Sequence, residues 1–256
     1  MGRPTIEMIG PPGIGKSALY HTLVRRWRPA SNWVPQGILL GPGRPAGMNF
    51  AAWLQFVLHR FKKGKIYKTI PADYGLRFAE EHPAFAALCW DLLSRPESPA
   101  VSSPGPRFRA AYFLFLDFCR YQAIREKPGL QACLLEEGLL QKSFLVQSDP
   151  AMMEALIRQY VSLVPVPQAL IYLDTADQQV IIDRLQRRTK TLFSHQGRSP
   201  ELLARETSKW QQMLALVLEQ ARQAGVAIYP IDGARPLREN ADLINQILTD
   251  LKVSRP

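Results

Sequence analysis

The chain has 256 residues, of which 46% are hydrophobic and 21% are charged, a composition that fits one large α/β domain or a domain with a sizeable insertion. Three cysteines without a C-x-x-C pair and four scattered histidines give neither a disulfide framework nor the spacing of a zinc site. The net charge of +10 favours an anionic partner, such as a nucleotide, a sugar phosphate, a nucleic acid or a lipid headgroup, although a solvated basic surface explains it equally well.

The first predicted element is a short strand over residues 5–9, which are rich in β-formers and end at a glycine. A helix is predicted over residues 17–27, because apolar residues recur there at helical spacing and Pro29 follows. The short apolar sequence QGILLG predicts a second strand over residues 36–41.

The middle of the chain has mostly helical patterns, which prolines interrupt between residues 49 and 127. A stretch rich in proline and serine over residues 95–106 predicts a surface loop between two of these helices. We therefore expect a helical insertion over about residues 42–128.

Strands and helices alternate over the second half of the chain. Strands are predicted over residues 131–135, 169–173 and 226–231, and helices over residues 150–163, 175–188, 200–224 and 237–251. Apolar strands that alternate with helices predict a parallel sheet with helices on both faces. Ligands of such sheets bind at the carboxyl ends of the strands.

The loop after the first strand matches the Walker A pattern G-x-x-x-x-G-K-[ST] without departure. Its residues are Gly10, Pro11, Pro12, Gly13, Ile14, Gly15, Lys16 and Ser17. Glycines allow successive main-chain N–H groups to turn towards phosphate oxygens, and the following helix adds the positive end of its dipole. Lys16 can reach the β- and γ-phosphates of a nucleoside triphosphate, and the Ser17 hydroxyl can bind magnesium. The predicted fold is a P-loop NTPase, a three-layer α/β sandwich with a five-stranded parallel sheet.

Two consecutive acids, Glu136 and Glu137, follow the third predicted strand directly. A P-loop enzyme needs an acid at the end of a neighbouring strand to hold magnesium, usually through water, and Glu136 is the candidate. Glu137 would then accept a proton from the attacking group as the general base. The alternatives are an exchange of these two roles and an exposed turn with two solvated glutamates.

Two arginines, Arg184 and Arg188, are four residues apart near the end of a predicted helix and therefore share one helix face. Two guanidinium groups so placed suit a nucleotide, since Arg184 can stack on the base while Arg188 neutralises the transferred phosphate. The alternative is a solvated basic helix end that the helix dipole favours.

The phosphate loop, the strand that ends in the two glutamates and the helix with the two arginines resemble the nucleoside monophosphate kinase-like P-loop kinases, a superfamily that includes thymidylate kinase. The similarity covers about residues 1–28 and 130–250. It implies a mobile lid over about residues 189–205, and it implies that the loop after the last strand, with Gly233, contacts the adenine. It also implies ATP and magnesium as cofactors.

The chain departs from the thymidylate kinase branch, which has Asp-Arg where this chain has Glu136 and Glu137. In that branch the arginine contacts the phosphate of the acceptor, so the acid pair favours a hydroxyl acceptor here. We therefore expect a kinase that transfers the γ-phosphoryl group to a hydroxyl of a small molecule or saccharide. We expect the acceptor, which the charge allows to be anionic, to bind in the insertion.

Three other functions remain open: a nucleoside or nucleotide kinase, a polynucleotide 5′-hydroxyl kinase, and an ATPase or switch without an acceptor. The sequence has no Asn-Lys-x-Asp element of a guanine-reading switch and no recognised nucleic-acid module. An amphipathic pattern over residues 50–61, followed by several lysines, could also contact a membrane surface. We expect a cytoplasmic protein without a signal peptide or a membrane-spanning segment.

Overall fold

The fold is built on five parallel strands, seen in a computed structural model that describes residues 2–41, 50–61, 70–95, 104–146, 150–187 and 199–251. The strands are β1 (Thr5–Ile9), β2 (Trp33–Pro35), β3 (Ala132–Leu135), β4 (Ala169–Asp174) and β5 (Ala227–Asp232). They form one sheet in the order β2-β3-β1-β4-β5, and every pair of neighbouring strands is parallel. The carboxyl ends of β1, β3, β4 and β5 therefore meet at one edge of the sheet.

Helices connect these strands and cover the sheet. They are α1 (Lys16–Arg26), α2 (Gln36–Leu39), α3 (Phe50–Phe61), α4 (Asp73–Glu81), α5 (Pro83–Ser94), α6 (Pro104–Glu126), α7 (Pro150–Leu163), α8 (Gln178–Gln186), α9 (Pro200–Gln223) and α10 (Leu237–Asp250). A 3-10 helix, Leu140–Val146, follows β3.

Alternate residues of the strands point to opposite faces of the sheet, and each face has its own buried core. On one face Met8 and Ile171 pack with apolar residues of α1, α8 and α10. On the other face Ile9 and Leu170 pack with the larger core, which α4, α5, α6, α7 and α9 share. Helices thus cover both faces, as the sequence predicts.

The predicted helical insertion contains α3, α4, α5 and α6. Phe78 of α4, Phe85 of α5 and Phe118 of α6 are buried in the core of the sheet, with ring centroids of Phe78 and Phe118 4.4 Å apart. The helices α4, α5 and α6 are therefore packed on the sheet. In the described residues no helix is both long enough and apolar enough to span a bilayer.

The second strand is the one predicted strand that the structure corrects. The sequence predicts an extended strand over residues 36–41. In the structure Gln36–Leu39 is a short helix, and the strand is Trp33–Pro35, directly before it. A short apolar run is compatible with either a strand or a buried helix, so the sequence pattern alone predicted the wrong element here. Pro35 lacks an N–H group and is tolerated because β2 lies at the edge of the sheet.

Candidate active site

The phosphate loop joins β1 to α1, as its sequence predicts, and its backbone depends on glycine. Gly13 and Gly15 have φ angles of 88° and 108°, in the left-handed region that other residues rarely adopt. Gly10 lies so close to the end of β4 that a Cβ atom there would meet the carbonyl oxygen of Leu173. The loop thus sits against the edge of the sheet where the strands end.

Lys16 points into this loop. Its side-chain Nζ donates hydrogen bonds to the carbonyl oxygens of Gly10 at 2.7 Å and Pro11 at 3.2 Å, and the residue is only 6% exposed. The N–H group of Gly10 donates to the side-chain oxygen of Gln141 at 3.0 Å. The 3-10 helix after β3 therefore helps to hold the first residue of the loop.

Arg184 connects the loop to the last strand. Its Nη1 donates to the carbonyl oxygen of Ile14 at 2.7 Å and to that of Gly233 at 3.0 Å. A Cβ atom at Gly233 would meet the side chain of Ile14. Arg184 thus links the phosphate loop to the loop that follows β5.

The second predicted arginine, Arg188, lies outside the described residues, as do residues 189–198 of the predicted lid. The remaining part of the predicted lid, up to Arg205, begins with Ser199, whose side chain accepts from Leu202 N, and forms the first turns of α9. The lid and the role of Arg188 therefore stay predictions.

Glu136 lies beside the helix that carries Ser17. Burial is the main cause that raises the pKa of Tyr20, and the nearby charge of Glu136 adds to it. Tyr20 is three residues after Ser17, so both lie on the same side of α1. Because β1 and β3 are neighbouring parallel strands, the loops that carry Ser17 and Glu136 lie at the same edge of the sheet.

This pair of oxygen donors fits magnesium. Among the described residues no group of three or more acidic, histidine or cysteine side chains could hold a metal ion. Magnesium in nucleotide enzymes is usually held by one or two protein ligands together with phosphates and waters. Ser17 and Glu136 are donors of the required kind.

Glu137 faces a group of cations. Its Oε2 lies 3.5 Å from Nζ of Lys142, and its main-chain oxygen accepts a 2.7 Å hydrogen bond from Nη2 of Arg120. Burial alone would raise the pKa of Glu137, but the charges of Lys142, Lys16 and Arg120 outweigh it and lower the pKa below its ordinary value. Glu137 is therefore ionised at neutral pH, and it lies within electrostatic reach of the phosphate-loop lysine.

Another acid, Glu7 of β1, lies beneath the loop that carries Glu136 and Glu137. Glu7 is fully buried, and its two carboxylate oxygens accept hydrogen bonds of 3.1 Å from the N–H groups of Leu139 and Leu140. A Cβ atom at Gly138 would overlap this carboxylate. Glu7 thus ties β1 to the segment that directly follows the acid pair.

Asp174, at the end of β4, is also an acid at the sheet edge. Its Oδ2 accepts a hydrogen bond from the Tyr172 hydroxyl, and its Oδ1 accepts one of 2.8 Å from Nε2 of Gln211. Both carboxylate oxygens of Asp174 thus have protein partners.

Sequence reasoning missed several polar residues of this site. They are Glu7, Asp117, Arg120, Gln141 and Lys142. Glu7 gave a signal, because it is the one charged residue of an otherwise apolar strand beside the phosphate loop. Asp117 gave the same signal, because it is the one charged residue of the apolar run over residues 110–119. Arg120 gave none, since it reaches the site only through the packing of α6.

The chain is distantly similar to proteins of known structure. No protein-family model matches the chain, and no curated protein matches it either. Among solved structures, the chain is similar to deoxyadenosine kinase from M. mycoides with bound dATP, at 14% identity and a TM-score of 0.42, over 96% of this chain and 99% of that chain. That protein is a kinase, at an identity and a TM-score too low to assign a function to this chain.

Proposed function

We propose that the chain is an ATP- and magnesium-dependent kinase that transfers the γ-phosphoryl group to a hydroxyl of a small molecule or saccharide. The observation that carries this proposal is that the phosphate loop and Glu137 follow two neighbouring parallel strands, β1 and β3, and that the cations Lys142, Lys16 and Arg120 lower the pKa of Glu137. A phosphate-binding loop and an ionised carboxylate at the same edge of the sheet suit transfer to a hydroxyl.

The phosphate loop would bind the triphosphate. The N–H groups of residues 13–17 and the start of α1 supply positive potential, and Lys16 would leave its carbonyl partners to contact the β- and γ-phosphates. Ser17 and Glu136 would hold magnesium, which neutralises charge on the phosphates. Arg184 would keep the loop against Gly233 at the nucleotide end of the site.

Glu137 would act as the general base. During transfer the bond between the γ-phosphorus and the bridging oxygen of ADP breaks, and a bond from the acceptor oxygen to that phosphorus forms. The hydroxyl proton passes to the carboxylate of Glu137, which is ionised because the neighbouring cations lower its pKa. Proton release afterwards restores the carboxylate.

The acceptor would bind between the acid pair and the insertion. Arg120 of α6 donates to the main-chain oxygen of Glu137, so α6 of the insertion lies against the acid pair. An acceptor hydroxyl would approach the exposed part of the Glu137 side chain, which is 43% accessible.

A panel of candidate acceptor molecules tests this proposal. ATP consumption is measured with nucleosides, nucleotides, sugars, lipid-linked saccharides and 5′-hydroxyl oligonucleotides, and the product is identified by mass. We expect stoichiometric ADP and phosphorylated acceptor with one hydroxyl class. ADP and free phosphate at a rate that no acceptor changes would instead identify an ATPase, and transfer to a phosphate group would contradict the hydroxyl assignment.

A further inference from the structure

A buried ionic cluster lies behind the acid pair and contains Asp117, Arg120 and Lys142. Asp117 of α6 accepts a 2.7 Å contact from Arg120 on Oδ1 and a 3.2 Å contact from Lys142 on Oδ2. The side chains of Asp117 and Arg120 are 6% and 5% exposed. Charges that are taken out of water in this way add little stability on average, so their presence calls for another explanation.

Both cations that Asp117 holds also contact Glu137. Arg120 donates to the main-chain oxygen of Glu137, and Lys142 contacts its carboxylate. One cation thus fixes the backbone of the acid and the other fixes its side chain. Asp117 is the group that orients both of them.

We infer that Asp117 is a positioning residue of the transfer site, which holds Arg120 and Lys142 so that Glu137 meets the acceptor hydroxyl. This inference rests on the proposed function, because the role of Glu137 as base belongs to that proposal. It gives α6, in the part of the chain for which the sequence showed no resemblance, a direct link to the reaction.

The charge balance explains why an acid is needed at this position. Without Asp117, the cations Arg120 and Lys142 would both bind the carboxylate of Glu137. They would then compete with the acceptor hydroxyl for its oxygens. Asp117 draws both cations partly away from Glu137. Arg120 is shared between Asp117 and the main-chain oxygen of Glu137, and Lys142 is shared between the Asp117 and Glu137 carboxylates. The carboxylate of Glu137, whose side chain is 43% exposed, therefore keeps a surface that can accept a proton.

The test compares two substitutions in the cluster with one outside it. Asp117→Asn keeps the shape and removes the charge, and Lys142→Gln removes the cation that contacts the carboxylate. The control is Asp91→Asn, which breaks the 2.5 Å ion pair with Arg95 on the exposed side of α5. For each variant we measure the number of ATP-magnesium sites per chain and their Kd by nucleotide fluorescence, and the turnover with the acceptor found by the panel.

We expect Asp117→Asn to bind ATP-magnesium at full stoichiometry and with unchanged Kd, while turnover falls on the order of 10²-fold because the base is misplaced. Lys142→Gln should lower turnover as well, Lys142→Arg should restore most of it, and Asp91→Asn should match the wild type. The double variant of Asp117→Asn and Lys142→Gln should lose less than the product of the two single losses, since both act through Glu137.

Three results would overturn the inference. The first is normal turnover in both Asp117→Asn and Lys142→Gln while Lys16→Ala is inactive. This result would remove the positioning role of Asp117 and leave the proposed kinase function intact. The second is a parallel fall of binding sites and turnover in every cluster variant, which would mean that the cluster only supports folding. The third is a wild-type chain that phosphorylates no acceptor, which would remove the proposed function together with the inference.

Discussion

The carboxylate of Glu7 accepts a 3.1 Å hydrogen bond from the main-chain N–H of Leu139, across 132 positions of the sequence. This contact joins the strand that leads into the phosphate loop to the segment that follows the acid pair. A fully buried acid usually disrupts a strand core, but here it supports the relative placement of the two halves of the site.

Glu7 should make folding stability depend on pH. Burial raises the pKa of Glu7 from 4.5 to about 7. The N–H donors of Leu139 and Leu140 and the charge of Arg120 lower this pKa, but burial has the larger effect. The folded chain therefore keeps a proton that the unfolded chain releases, so the free energy of unfolding falls as pH rises from about 4.5 to about 7. The loss from this group is about 3 kcal/mol, and it levels off above pH 7.

Urea unfolding of the wild type and of Glu7→Gln between pH 4.5 and pH 8 measures this effect. We expect Glu7→Gln to remove most of that fall in stability, while the exposed Glu154→Gln keeps the wild-type dependence. An identical pH dependence in the wild type and Glu7→Gln would contradict the assignment of this slope to Glu7.

A methyl group at Gly138 should damage both stability and activity. Its Cβ atom would overlap the carboxylate of Glu7, and an overpacked buried site typically loses about 1–3 kcal/mol. We expect Gly138→Ala to unfold at lower temperature and, because the acid pair is displaced, to lose turnover even where it is fully folded. Gly225→Ala is the control, since Gly225 has a φ angle of 82° with no atom near its Cβ position and should lose stability alone.

Arg184 should affect nucleotide affinity through the loop that it holds. We expect Arg184→Met to weaken ATP-magnesium binding about tenfold, because two hydrogen bonds from a charged donor to Ile14 and Gly233 are lost. Arg187→Met, at a position whose side chain is 83% exposed on the same helix end, should bind as the wild type does. Titration calorimetry measures both, and equal affinities would show that Arg184 has no part in the nucleotide site.

The two glutamates should separate into different kinetic classes. We expect Glu137→Gln to bind ATP-magnesium normally and to lose about 10²–10⁴-fold in turnover, as the loss of a general base does. Glu136→Gln should require more magnesium for half-maximal binding and rate. The reverse pattern would exchange the two roles, and unchanged turnover in both variants would identify the pair as a solvated turn.

The sequence predicted the parts of this structure that local patterns encode. The phosphate loop follows from glycine spacing, and β1, β3, β4 and β5 follow from apolar runs with turn residues at their ends. β2 was missed because its three residues include Pro35 and are too short to show a period. Glu136 and Glu137 were predicted from their place after a strand, which is again local.

The polar surroundings of the acids could not be predicted in the same way. Asp117 and Arg120 meet Lys142 only because α6 packs beside the 3-10 helix after β3. Hydrogen bonds such as that from Gly10 to Gln141, 131 positions apart, depend on the folded chain. Arg188 and most of the predicted lid lie outside the described residues and remain predictions from the resemblance.

The most direct test of the central claim is transfer of labelled γ-phosphate from ATP to the acceptor by Lys16→Ala. Lys16 lies in the phosphate loop, and in the proposed reaction it supplies positive charge where negative charge develops during transfer. We predict that this variant folds, binds ATP-magnesium more weakly and forms no labelled product above background, while the wild type forms labelled acceptor and ADP in equal amounts. Near-normal formation of labelled product by Lys16→Ala would contradict the assignment of the chain as a P-loop kinase.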